Sequence, residues 1–299
     1  MTALTLAHHP VAPSELWGAW QPDPLILGAL ALTGLAYRRG MAHLPVARRN
    51  GRVAPVRPAN VVAFAGGLLV LAVALASPLE LAAASLFSAH MVQHLLLLVV
   101  AAPLLVCGRP VMVLSHALPR RWRRQVGRVG ARRRFRAAAH VLLHPAVVWA
   151  VGTAVLWAWH LPSPYEAALG NEALHALEHA SLVATAALAW ALALGRARRR
   201  LAVPAAAGLL FATALQSGAL GAVLALARTP LYPTHGPVAP LWGLTALEDQ
   251  QLAGGLMWVP PGLVYVVVIT TLLARWFGSL DTPDIADRRS AGVSTGGWS

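Results

Sequence analysis

Apolar runs of about twenty residues recur along this chain, the length needed to cross the hydrocarbon core of a bilayer. No other feature restricts the fold as severely. Water cannot bond the backbone inside that core, so each crossing must satisfy its own N–H and C=O groups, as a helix does. Of the 299 residues, 57% are hydrophobic and 12% charged, about half the charge of a soluble domain. Candidate spans fall at 24–38, 59–79, 86–107, 140–160, 173–195, 203–227 and 250–276. The first, PLILGALALTGLAY, is short for a crossing and stops abruptly at Arg38 and Arg39. Trp17 and Trp20 are placed to sit in the interface ahead of it.

The basic residues set the orientation. There is no lysine, and the 24 basic residues are all arginine. They gather after span one (Arg38 to Arg57), after span three (Arg109 and Arg120 to Arg136), after span five (Arg196 to Arg200) and from Arg275 to Arg289. The alternate segments hold only Arg228. Cytoplasmic loops collect arginine, which predicts an N-terminus outside and a C-terminus inside. The expected fold is an all-α polytopic membrane bundle with seven transmembrane helices. Residues 1–23 are expected to form an extracytoplasmic segment, 24–277 the transmembrane domain, and 278–299 a disordered cytoplasmic tail.

This distribution accounts for the net charge of +13 without nucleic acid as a partner. The stretch RRWRRQVGRVGARRRFR is expected to lie on the anionic lipids of the inner leaflet, with Trp122 and Phe135 dipping into the interface. A single cysteine, Cys107, excludes a disulfide or paired-thiol motif within the chain and reads as an apolar filler. The opening MTALTLAHHP lacks a basic region followed by an apolar core, so no cleavable signal peptide is expected.

With that topology, the polar residues inside the spans can be placed by depth. SAHMVQH opens span three, and its His90 and His94, four residues apart, share one helix face roughly 6 to 13 Å below the outer end. Met91 is close to that face. Span five opens NEALHALEHA, with His175 and His179 at the same spacing and Glu178 beside them. Span four runs the other way and ends LWAWHLP, bringing His160 to the outer surface. Span seven places Glu248, Asp249 and Gln250 at the outer entrance, with Met257 about two turns deeper. Five histidines from three spans thus converge on one level. A lone intramembrane histidine often just links helices; five at one depth suggest a metal or haem site, with a hydrogen-bonded or proton-relay cluster as the other reading.

Imidazole suits copper, zinc, iron and nickel, and thioethers shift the preference towards Cu(I). A site facing an oxidising compartment is better served by His and Met than by thiols. The expected ligands are His90, His94, His160, His175 and His179, with Met91, Glu178, Asp249, Gln250 and Met257 as accessory residues. Two alternatives stay open. HALEH matches the His-x2-Glu-His of inverzincin metallohydrolases, with zinc on the two histidines and glutamate as base, and paired histidines on facing helices suit haem.

The other histidines carry less. His140 and His144 are expected at the inner interface, His43 and His116 in cytoplasmic segments, and His8, His9 and His235 in solvated outer loops. The GGL at 254–256 would let span seven approach a neighbour closely, and Pro260–Pro261 should kink or break that helix.

The segments SAHMVQHLLLLVVAAPLLVCGRP, HPAVVWAVGTAVLWAWHLPSPYEAAL, HALEH and DQQLAGGLMWVPPGLVYV resemble, in order and spacing, motifs of the CtaG family of cytochrome c oxidase assembly factors. This is the multi-span family associated with caa-type oxidases, not the unrelated single-span copper protein that shares the name. The resemblance covers about residues 60 to 277. Where the family carries two prolines after the apolar run of span three, this chain has Ala102–Pro103. The resemblance implies a multi-pass protein of the bacterial cell membrane that assists assembly of a haem–copper oxidase by handling copper, and is not an enzyme. Its partners would be oxidase subunits and an extracytoplasmic copper donor. The family's His-x3-His falls on His90 and His94, its Trp-His on His160, its His-x2-Glu-His on His175, Glu178 and His179, and its Asp-Gln on Asp249 and Gln250.

Overall fold

The computed structural model describes residues 11–20, 22–44, 56–195 and 201–280, and among them every regular element is a helix. His8, His9, the arginines at 48–52, 196–200 and 288–289, and most of the expected tail lie outside the described residues. After a single turn, α1 (Leu16–Ala19), come two 19-residue helices, α2 (Pro24–Ala42) and α3 (Pro58–Ala76). They lie antiparallel. Trp20 Nε1 donates to Ala76 O at 3.2 Å at one end, and the Tyr37 ring stacks on Phe64 at 3.8 Å at the other.

The short α4 (Leu79–Ser85) leads into α5 (Phe87–Leu95), which continues through a π-helical turn (Leu96–Ala101) into α6 (Ala102–Cys107). The turn has a traceable cause. Ala102 N–H bonds Leu97 O, one residue further back than in an α-helix. At the same spacing the next acceptor, Leu98 O, would need an N–H from Pro103, which has none. Trp190 Nε1 donates to that carbonyl instead, at 2.9 Å. The Trp190 ring in turn stacks on Tyr265, 5.3 Å between centroids.

Beyond it, α7 (Pro110–Ala117) packs on α2, and α8 (Arg120–Ala131) and α9 (Arg133–Leu142) are arginine-rich amphipathic helices with no buried residue. Trp122 and Phe135 are both exposed on them. The remaining helices are α10 (Pro145–Trp159), α11 (Pro162–Leu169), α12 (Glu172–Leu194), α13 (Val203–Ala225) and α14 (Ala246–Leu280). Their starts follow local chemistry. Asp23 caps α2 ahead of Pro24, His144 caps α10 ahead of Pro145, and Asn171 accepts from Leu174 N at the head of α12. α14 packs along α13 and against α5. A Cβ on Gly221 of α13 would lie 2.8 Å from Gly254 O, so the two backbones touch where the sequence places its glycine pair.

Five of these helices are long and apolar enough to cross a membrane: α3, the α5–α6 unit, α12, α13 and α14. The count becomes six if α9 and α10, bent by 62° at their break, are taken as one span. The protein is therefore a membrane protein, all-helical in its regular structure over the described residues. The span expected at 140–160 differs in detail: its straight part starts at Pro145, because proline disfavours helix in the residue before it. Of the kink or break expected at Pro260–Pro261, the break is absent. α14 runs unbroken for 35 residues with both prolines inside it. Cys107 is exposed at the end of α6 rather than filling the core.

Candidate metal centre

The sequence fixes a shared register in two helices. His90 and His94 are the fourth and eighth residues of α5, and His175 and His179 the fourth and eighth of α12. α5 and α12 lie on opposite sides of one buried point, so both pairs face it. His160 joins them from the C-cap of α10, its ring 5.7 Å from that of His94. All five imidazoles are buried, as is Glu178.

The rings are in close contact. Centroids lie 4.4 Å apart for His90 and His94, 4.3 Å for His175 and His179, 5.4 Å for His90 and His175, and 5.3 Å for His94 and His179. His90 Nε2 and His94 Nε2 are 3.0 Å apart, so one donates and the other accepts. Glu178 Oε1 sits 3.7 Å from His90 Nε2 and 3.5 Å from His94 Nε2. Two overlapping sets each bring three ligand atoms within 4.8 Å of one another: His90, His175 and His179, and His90, His94 and Glu178. His160 stands outside both sets. Glu178, read from sequence as accessory, contributes to one of them.

Several buried polar atoms in the cluster lack a hydrogen-bond partner among the described residues. His160 Nδ1 donates to Leu156 O at 2.7 Å, which leaves a lone pair on Nε2, and that atom has no partner. Neither oxygen of Glu178 accepts a hydrogen bond, although the residue has no exposed surface. Unpaired acceptors at such depth are costly, and a cation is what their arrangement fits. Imidazole nitrogens with a carboxylate make a donor set for copper or zinc.

The accessory residues separate by role. Among the described residues Asp249 makes no hydrogen bond or ion pair to the five clustered histidines. Its Oδ2 accepts from Phe87 N at 2.7 Å and its Oδ1 from Ser88 N at 3.0 Å, so it caps α5 from α14. Gln250 accepts from Leu231 N at 2.6 Å and ties down the connection before α14. Met91 and Met257 belong to one apolar core with Phe87, Leu156 and Leu182. Together with His94 and His160 they line a cavity of about 90 Å³ between the helices.

Four neighbours were not legible as site residues. Glu80 of α4 places Oε1 3.8 Å from His175 Nδ1, and its other oxygen accepts from Gln93 of α5. Burial pushes the Glu80 carboxyl up to about 7, against the lowering effect of Gln93. Tyr165 packs edge-on to His90 at 5.2 Å and its hydroxyl donates to His235 Nε2 at 2.8 Å. His235, expected in solvent, is buried and donates from Nδ1 to Ser85 O at 3.3 Å; burial holds its pKa below the ordinary 6.5. The available signal for Glu80 was its position as the lone charge in SPLELAAASLF. His140 and His144 are exposed near the break between α9 and α10, and His43 is exposed at the end of α2.

The family model of the cytochrome c oxidase caa3 assembly factors (Caa3_CtaG) matches residues 35–279. The chain belongs to this family. The match begins before the segments that carried the resemblance and takes in the last eight residues of α2. Uncharacterized proteins of Mycobacterium bovis and Mycobacterium tuberculosis are each 28% identical to it over 271 residues, 86% of this chain. A third, from Mycobacterium leprae, is 24% identical over 275 residues. The chain spans 39% of the length of these relatives. No solved structure matches it.

Proposed function

We propose that this caa3-type assembly factor holds a copper ion, as Cu(I), in the histidine cluster and passes it to a subunit of cytochrome c oxidase. One observation carries the reading: four buried imidazoles and the carboxylate of Glu178 form two overlapping ligand sets that share His90, with the buried His160 ring beside them. In this reading copper is cargo and the chain is not an enzyme. Binding would displace the proton shared between His90 and His94. The packing of the rings supports an ion over a macrocycle, because centroids 4.3–5.8 Å apart leave no slot for a porphyrin.

The orientation belongs to the same proposal. The histidines gather at one end of the bundle, while Arg38, Arg39, Arg57, Arg109, Arg275 and the arginines of α8 and α9 gather at the other. Arginine marks the cytoplasmic side, so the cluster faces outward in a bacterial cell membrane, open to an extracytoplasmic copper donor. α2 is a seventh crossing, since it accompanies α3 from Ala76 to Phe64. α8 and α9 lie on anionic lipid.

The test is metal content and visible absorbance of the purified protein beside a His90→Ala/His94→Ala variant. The proposal expects one copper per chain, lost in the variant while helicity and monodispersity are kept. Zinc in place of copper would move the reading to the His175-x2-Glu178-His179 hydrolase, and a Soret band to haem. No metal after anaerobic Cu(I) loading would leave a hydrogen-bonded histidine network and overturn it.

A further inference from the structure

An ion can reach the cluster only where ligands replace its water as it is shed, and the structure offers two approaches. One is the cavity lined by Met91, Leu98, Leu156 and Met257, which meets His94 and His160 through apolar walls. The other is the Glu80 edge. The five histidines and Glu178 are all buried, and where the His175 side chain is 8% exposed that of Glu80, 3.8 Å away, is 24% exposed. Among the described residues it is the one partly exposed carboxylate in ion-pair range of the cluster.

Its surroundings suit that position. Glu80 sits on the seven-residue α4, between α3 and α5, rather than deep in a spanning helix. Gln93 Nε2 donates to Glu80 and also to Ala74 O at 2.8 Å, so the carboxylate is held from behind. Oε1 is turned towards His175 Nδ1. His175 belongs to the set completed by His90 and His179, and His90 belongs as well to the set with His94 and Glu178. A continuous series of donors therefore leads from the surface to the deepest ligand.

We propose that Glu80 and His175 form the port of the histidine site, through which the metal cation enters and leaves. The inference rests on the copper reading above and adds a residue that reading does not need. Glu80 is a positioning and transfer residue: it lowers the barrier to exchange and contributes little to the bound state.

The test is stopped-flow uptake of Cu(I), supplied anaerobically as its acetonitrile complex, by the full chain in detergent. Equilibrium stoichiometry is measured on the same samples. Glu80→Gln should keep the wild-type stoichiometry and take up Cu(I) about ten-fold more slowly, the low end of the effect of a charged entrance on association. Glu80→Asp, which keeps the carboxylate, should stay within about three-fold of wild type. Glu248→Gln, a carboxylate at the same end of the bundle bonded only to Thr245, should not change the rate. Uptake by Glu80→Gln at the wild-type rate, or equal slowing in Glu80→Asp, overturns the port and leaves the site standing. Loss of stoichiometry in Glu80→Gln with its helicity intact makes Glu80 a ligand and also overturns it. Wild-type protein that binds no Cu(I) removes the site itself, and the port with it.

Discussion

Asp249→Asn tests the link between α14 and the helix that carries His90 and His94. In the wild type each carboxylate oxygen accepts one N–H from the first two residues of α5, at 2.7 Å and 3.0 Å, and Asp249 is 1% exposed. Asparagine is nearly isosteric but has one acceptor oxygen. It can keep one bond, and must turn its NH2 group towards the other N–H. The kept bond loses its charge, worth about 1 kcal/mol, and the orphaned buried N–H costs about 1–3 kcal/mol. The sum is about 2–4 kcal/mol, before any loss of interaction with the positive end of the helix. At ~2–4 °C per kcal/mol for chains of roughly this size, the midpoint of thermal unfolding in detergent should fall by at least ~4 °C. Glu248→Gln is the matched control and should not move it. A midpoint for Asp249→Asn within roughly 2 °C of wild type would refute the view that this carboxylate holds α5 in place, whatever the site binds.

Three further substitutions probe other joints. Trp190→Phe removes the donor to Leu98 O and should cost about 1–3 kcal/mol, read from thermal unfolding; no change would mean that the π-helical turn needs no outside donor. Gly254→Ala places a methyl against Gly221 O and the backbone of Ala225 and should destabilise the α13–α14 pair by about 1–3 kcal/mol, visible as reduced monodisperse yield. Burial keeps His235 neutral in the fold and its pKa below 6.5, so its contribution is complete above 6.5 and is lost as pH falls through the lowered value. His235→Gln should therefore flatten the acid side of the stability profile relative to wild type, and an unchanged slope would contradict this.

Much of the site could be read from spacing alone. The His-x3-His pairs share a face in any α-helix, and alternate arginine loops bring both pairs to one level before any contact is known. What spacing cannot give is which side chains are consumed elsewhere. Asp249 and Gln250 stand beside the site in sequence logic, yet both are spent on backbone N–H groups, one of α5 and one before α14. Glu80 was invisible for the opposite reason: it lies in a short helix between spans, and only the packing of α4 on α5 brings it to His175. Periodicity also could not place the π-helical turn, because the missing N–H of Pro103 is local but its remedy, Trp190, is 92 residues away from Leu98. His235 misled because a proline-rich connection reads as solvated, whereas Tyr165 and Ser85 draw it inside.

The shared register of the two histidine pairs has an electrostatic corollary. Residues four and eight of α5 and α12 lie in the first two turns, so two helix amino ends, each carrying roughly half a positive charge, face the same buried point. The Asp249 carboxylate answers the amino end of α5 directly, and further negative charge is supplied by Glu178 inside and Glu80 at the edge. Any cation at that point would therefore sit between two helix amino ends and the carboxylates that answer them, so neutralising one carboxylate would cost more than a single lost contact.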